Sequence, residues 1–431
     1  MKMKLRPLLF WLLYITSFNS WAALIRVTDT DALTLALSKA QNGDTLLLAN
    51  GVYTGSFRVT QSINLQGEVG ATLDAQYQGS ALIVTAAKVR IEGLNIRHWG
   101  KDLYYRDAGI LLQQGADKVQ IKENHFVGDG FGIYGEQIYA PEIVGNSISG
   151  NGAMYVLDRG DGIYLKQVVA PQIHKNQLIF VRDGVYLESV TRSRISENQF
   201  TKLQYGIHYM YTQADEAWQN QAIAVDGGYA LMNSTNIYLH HNRVTQARDF
   251  GILLNITESS HVQANVASDI HNPKGTVELG NEGKGIFIYA AQKNRIEDNE
   301  FSQSDTGISM AMGGEKNRLW HNRIIANQTQ VKYVGDTQLE WSYQGQGNYW
   351  SEYQGWDLNL DGVGDLAHRP NDSLDKLFWL YPEAKLLMES PVVLLLRWVE
   401  RQFQPQMTTG ISDSFPLMQS VSPALIDGGP Q

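Results

Sequence analysis

Two strand-like phrases in this 431-residue chain bring soft-metal donors together. In "YGIHYMY", residues 205–211, alternation points Ile207 and Tyr209 one way and His208 and Met210 the other. "GYALM", residues 228–232, repeats the pattern and puts Met232 at the place of Met210. With Ile207 in a core, His208, Met210 and Met232 form one outward patch that carries no charged residue. An imidazole and two thioethers suit Cu(I), because a soft ion prefers sulfur and neutral thioethers release it for transfer. The chain has no cysteine, so any soft-metal site must come from Met and His. A contact patch for another protein would use the same side chains. Met310 and Met312 in "GISMAM" look similar, but Met310 falls on a core position and the pair reads as core.

Two other motifs could do chemistry. In "DLNLDGVGD", Asp357, Asn359, Asp361 and Asp365 stand at positions 1, 3, 5 and 9 of a calcium loop, with Gly362 at the sharp turn and Val363 offering a carbonyl. Position 12 is His368 instead of a bidentate Glu, so bound calcium and a self-capped turn both fit. Arg106-Asp107, Asp158-Arg159-Gly160-Asp161, Arg182-Asp183 and Arg248-Asp249 each precede a glycine. Stacked on one face, they suit either acid–base work on a polysaccharide or a ladder of surface pairs.

A repeat must position these groups. Asn124, Asn146, Asn176, Asn198, Asn220, Asn242, Asn265, Asn299 and Asn322 recur, mostly 22 or 23 residues apart, with steps of 30 and 34 that hold insertions. A glycine and an alternating strand follow most of them, as at Gly132, Gly162, Gly184, Gly206, Gly228, Gly251, Gly285 and Gly307. Coils of about 22 residues with short strands and asparagine bends predict an all-β fold, a right-handed parallel β-helix. Asparagine suits such a bend because it tolerates left-handed backbone.

The rest of the chain divides around that repeat. Lys2, Lys4 and Arg6, an apolar run from Leu8 to Phe18 and Ser20-Trp21-Ala22 read as a secretory signal peptide over 1–22, cut after Ala22 or Ala23. Its loss takes Lys+Arg from 35 to 32 against 44 Asp+Glu, so the net charge moves from −9 to −12. An acidic exported protein is a poor nucleic-acid partner. The β-helix spans 23–335 and includes a cap with a helix at Asp31–Gln41. An aromatic and acidic loop segment covers 336–372, two short helices broken around Pro391 cover 373–403, and 404–431 reads as an extended tail. The apolar stripe from Leu386 to Val399 fits packing across the end of the solenoid or docking to a membrane partner.

"GIHYMY", "GYALM", "QVKYVG", "LEWS", "GNYWS", "DLNLDGVGD", "RPND", "AKLL", "SPVVLLLRW" and "DSFPLM" occur in an order that resembles the NosD family over nearly the whole mature chain. The phrases after Val331 carry the resemblance most specifically. It implies a periplasmic, non-enzymatic maturation factor that works with an ABC-type permease and ATPase. It also implies Cu(I) received from a membrane-anchored copper chaperone, and help in assembling the copper–sulfide centre of nitrous oxide reductase. Membrane contact would run through the permease only. The alternative is a carbohydrate-active β-helix, a lyase or epimerase.

Overall fold

The computed structural model describes residues 22–403, apart from 277–280, 315, 334, 336 and most of 372–389, together with 410–420. The signal-peptide segment and most of the first expected C-terminal helix therefore lie outside the described residues. The remainder is a right-handed parallel β-helix with three long sheets and a capped end.

Sheet I has 13 strands from Leu24–Val27 to Arg318–Trp320. Sheet II has 12, from Phe57–Val59 to Thr329–Tyr333, and sheet III has 13, from Gly51–Thr54 to Tyr349–Trp350. One coil shows the order: Tyr205–Met210 in sheet II, Glu216–Trp218 in sheet I, Gln221–Ile223 in sheet III, then Gly227–Met232 in sheet II again. Every neighbouring pair runs parallel and in register, so each residue sits beside its counterpart one repeat later, as Met210 does beside Met232. Such strands lie about 4.8 Å apart.

The alternation decides what enters the core. Ile207, Tyr209, Tyr229 and Leu231 are fully buried inside the coil. Ala217 and Ala222 in the facing sheets are as buried but small, which leaves room for the two tyrosine rings. The Tyr229 hydroxyl donates to the Asn220 carbonyl at 2.9 Å, so its polar end is satisfied indoors. Met310 is core as expected, whereas Met312 is exposed, one residue beyond the strand Thr306–Ala311.

The asparagines hold the bend between sheets I and III, but not by the expected means. The left-handed residue is the one before each asparagine: Glu197, Gln219 and His241 have φ of 55°, 53° and 54°. The asparagine side chain supplies the connection between coils. Asn220 Nδ2 donates to the Ile195 carbonyl one coil back and to Asn242 Oδ1 one coil on, both at 2.9 Å. Its Oδ1 accepts the Asn198 backbone N–H at 3.0 Å. The same pattern runs unbroken from Asn124 to Asn348.

Both ends are covered. Helix α1, Thr30–Lys39, is capped by the Asp29 carboxylate, which accepts the Ala32 N–H at 2.9 Å, and it buries Leu33. At the far end, part of the expected extended tail instead folds back. Gly410–Ser412 pairs in parallel with Gln338–Glu340, and Asp413 is fully buried. Asp413 Oδ2 accepts the Asn348 N–H at 2.7 Å and Trp350 Nε1–H at 2.8 Å. A carboxylate from this returning segment thus takes the place of the next asparagine. Helix α2, Pro391–Phe403, starts where the break was expected, with Ser390 Oγ accepting the Val393 N–H at 3.3 Å.

Candidate metal centre

The outer face of sheet II carries one side chain per coil in a continuous column: Tyr134, Tyr164, Tyr186, His208, Ala230, Leu253 and Phe287. The next outward column runs Glu136, Lys166, Glu188, Met210, Met232 and Asn255. His208, Met210 and Met232 are therefore brought together as the alternation predicts: the first two on one strand, the third beside the second.

The patch is neither open nor free of charge, and both expectations are corrected. His208 is only 9% exposed. The Tyr186 ring meets it edge-on at 4.5 Å and the Tyr205 ring at 5.3 Å, which closes both sides. Met232 packs against the apolar cluster of Ala230, Phe250 and Leu253. His208 Nδ1 lies 2.9 Å from Asp183 Oδ2, and Met210 is the register neighbour of Glu188. Met210 and Met232 themselves are partly exposed.

Asp183 is held in turn. Its backbone N–H donates to Asp161 Oδ1 at 3.0 Å, and its own Oδ1 accepts the Tyr205 N–H at 3.2 Å. Arg182 grips Asp161 through both carboxylate oxygens, at 2.9 and 2.6 Å. Burial and the adjacent Asp183 charge push the Asp161 carboxyl above the usual range, with Arg182 pulling the other way. Burial also raises Tyr186 and Tyr205 to about 12, so both phenols stay neutral.

One carboxylate on Nδ1 has a definite effect on the ring. In the neutral ring it favours the proton on Nδ1 and leaves Nε2 with its lone pair. Nε2 of His208 is buried and has no hydrogen-bond partner. A buried acceptor without a partner is costly, and coordination to a soft cation would satisfy it. The donor types present, one imidazole and two thioethers, suit a soft cation, and Asp183 is the group beside the imidazole that the sequence reading missed. Its signal was visible as the Arg182-Asp183 rung, but the partner one coil away was not.

The other motifs resolve differently. In the loop of residues 357–365, Asp357 accepts the Asp361 and Gly362 N–H groups, Asp361 accepts that of Val363, and Asp365 accepts that of Leu358. Asn359 donates to Asp361 Oδ2 at 3.0 Å. The turn is thereby capped by its own side chains. His368, at the twelfth position, stacks near Trp350 and pairs its backbone with Asp413, away from the role of a bidentate ligand. The Arg-Asp rungs do not form one uniform row: Arg106 pairs with Glu136, Arg159 donates to the Met154 and Gly152 carbonyls, and Arg248 lies 3.5 Å from Asp226.

Fold and donors together define a parallel β-solenoid protein with a candidate soft-metal site on its flank. A family described as "Periplasmic copper-binding protein (NosD)" matches residues 144–355, and a family of unknown function matches 37–185. A relative from Stutzerimonas stutzeri, named "Probable ABC transporter binding protein NosD", is 41% identical over 86% of each chain. One of the same name from Pseudomonas aeruginosa is 38% identical over 92% of each chain. The chain belongs to the NosD family. Among solved structures, an alginate lyase, AlyF, superposes with a TM-score of 0.56 at 11% identity, covering 71% of this chain and 80% of its own. The periplasmic alginate epimerase AlgG gives 0.50 at 12% identity, covering 72% of this chain and 80% of its own. At such identity these two share the fold alone.

Proposed function

We propose that this protein accepts Cu(I) and hands it on during assembly of the copper–sulfide centre of nitrous oxide reductase, as the periplasmic accessory subunit of an ABC-type complex. A membrane-anchored copper chaperone is the proposed donor. The observation that carries the reading is the buried, unpartnered Nε2 of His208 on the same face as the Met210–Met232 pair. Partly exposed thioethers give a route in and out, and the shielded imidazole gives the ion a defined resting place. The copper-binding description of the family and the transporter-binding names of the relatives support it. A lyase or epimerase reading draws on the fold likeness and on the Arg-Asp rungs, whose arginines take different partners from coil to coil. Met210→Leu/Met232→Leu keeps the apolar bulk and removes both sulfurs. Cu(I) affinity, measured against a competing chelator, should fall tenfold or more, about 1.4 kcal/mol. Unchanged affinity together with full support of nitrous oxide reductase maturation would remove this site from consideration.

For the transporter contact we propose α2. Leu394, Leu395 and Trp398 are each more than half exposed, which is a large apolar face to leave in water. Among the described residues no helix is long and apolar enough to cross a membrane, and the proposed contact is with a membrane partner. Leu395→Ser/Trp398→Ser should release the protein from detergent-solubilised permease and leave its circular dichroism unchanged. Loss of the β signal would show instead that α2 is part of the end cap.

A further inference from the structure

A second cluster of nitrogen donors lies on sheet I, on a different flank from His208. Strand Tyr238–His240 ends at His240, and His241 follows in the left-handed bend at φ 54°. That turn brings the two rings together nearly at right angles, with His240 Nδ1 and His241 Nδ1 2.9 Å apart. His240 is held firmly. Trp218 of the preceding coil lies parallel to it at 6.0 Å, and Tyr238 stacks on it at 4.1 Å. Its Nε2 faces Glu216 Oε1 at 3.3 Å, and Arg194 lies 3.4 Å from the other oxygen of that carboxylate. The His241 backbone is fixed by its N–H to the Gln263 carbonyl at 3.1 Å.

These contacts select the donor atoms. A carboxylate on His240 Nε2 keeps the proton there and leaves the lone pair on Nδ1, the arrangement that orients metal-binding imidazoles. That nitrogen lies 2.9 Å from Nδ1 of the second imidazole. With no metal, one of the two nitrogens must carry a proton and donate it to the other. With bonds of about 2.0 Å, donors 2.9 Å apart subtend about 90° at a shared ion. This is the angle between neighbouring positions of a square-planar or tetragonal site, the geometry of Cu(II) and Ni(II) with nitrogen donors. It is too acute for the linear pair or the tetrahedron that a d10 ion prefers.

We propose that His240 and His241 form a nitrogen-only chelate for a divalent ion of the copper or nickel type, with water completing the coordination. It is separate in sheet, donor type and oxidation state from the His208 site, and the proposal does not depend on that site.

The test uses full-length metal-free protein and one equivalent of Cu(II), read by electron paramagnetic resonance in a non-coordinating buffer. Wild type and Met210→Leu/Met232→Leu should both give an axial signal with coupling to two imidazole nitrogens. His240→Phe/His241→Gln, which keeps a ring between Trp218 and Tyr238, should lose that coupling and bind Cu(II) at least tenfold more weakly. Should this double variant fail to fold, His241→Gln alone should reduce the coupled imidazoles from two to one. A two-imidazole signal that survives these substitutions, or a wild-type signal without two coupled imidazoles, would overturn the proposal.

Discussion

At the scale of single residues, the proposed function rests on which nitrogen of His208 carries a proton. The Asp183 contact at 2.9 Å makes that choice. Asp183→Asn should allow either tautomer and loosen the ring. Cu(I) affinity should fall about tenfold, within the range seen when an orienting partner of a metal-bound histidine is removed. Nitrogen NMR of the imidazole should show the two tautomers mixed in the variant and one in wild type. If the tautomer stays single and the affinity is unchanged, Asp183 has only a structural role. His208, Met210 and Met232 were legible in the sequence because alternation and repeat length fix both neighbours along a strand and neighbours across coils. The burial of His208 was not legible. It depends on where the Tyr186 and Tyr205 rings swing, and a strand pattern gives the face of a residue without saying what leans over it.

At the scale of the element, the bend between sheets I and III is the unit of stability. A left-handed residue costs roughly 1–2 kcal/mol unless it is glycine. Positions as varied as Glu197, Gln219 and His241 adopt it in successive coils. The side-chain ladder offsets that cost. Asn220→Ala strands the Asn198 N–H and leaves the Asn242 oxygen and the Ile195 carbonyl short of a donor. With about 1–3 kcal/mol for the stranded N–H and about 1 kcal/mol for each of the other two lost bonds, the loss should be about 3 kcal/mol or more. The urea midpoint of unfolding should drop accordingly, and a loss under about 1 kcal/mol would mean that the coils hold without the ladder. The asparagine spacing made the fold readable, since few other architectures need one residue type every 22 positions. The left-handed position escaped notice because it has no preferred residue and so leaves no letter in the sequence.

At the scale of the whole molecule, stability should depend on pH through carboxylates buried inside the stack. Asp215 accepts the Ser193 N–H at 2.6 Å, yet burial pushes its carboxyl up to about 6. Its unfolded value is about 3.9, so the native state holds this proton more tightly than the unfolded chain does. Stability from this group is therefore full below about pH 4 and is lost as pH rises through about 6. Asp215→Asn retains an oxygen for the Ser193 N–H and removes the titration. The variant should gain on the order of 2 kcal/mol over wild type at pH 8 and nothing at pH 4, as read by denaturant melts at the two pH values. Equal differences at both would assign the effect to packing. The helix at 30–39 and the start of α2 were readable from their capping and proline signals. The closing segment was not, because Asp413 reaches Asn348 across 65 positions that no local pattern links.

That last contact also sets an order of events. A stack of parallel coils has no natural stopping point, because its final coil offers the same amide donors to whatever arrives next. Here the stopper is a carboxylate encoded 65 residues after the coil it closes. While the chain is being made, the earlier coils can fold as they emerge, each templating the next. The terminal rung stays unfilled until residue 413 has emerged. During that interval the growing end is an uncovered strand edge, open to a coil from another molecule as well as to its own tail. Late arrival of residue 413 therefore lengthens the interval in which the open end of the stack can pair with another molecule.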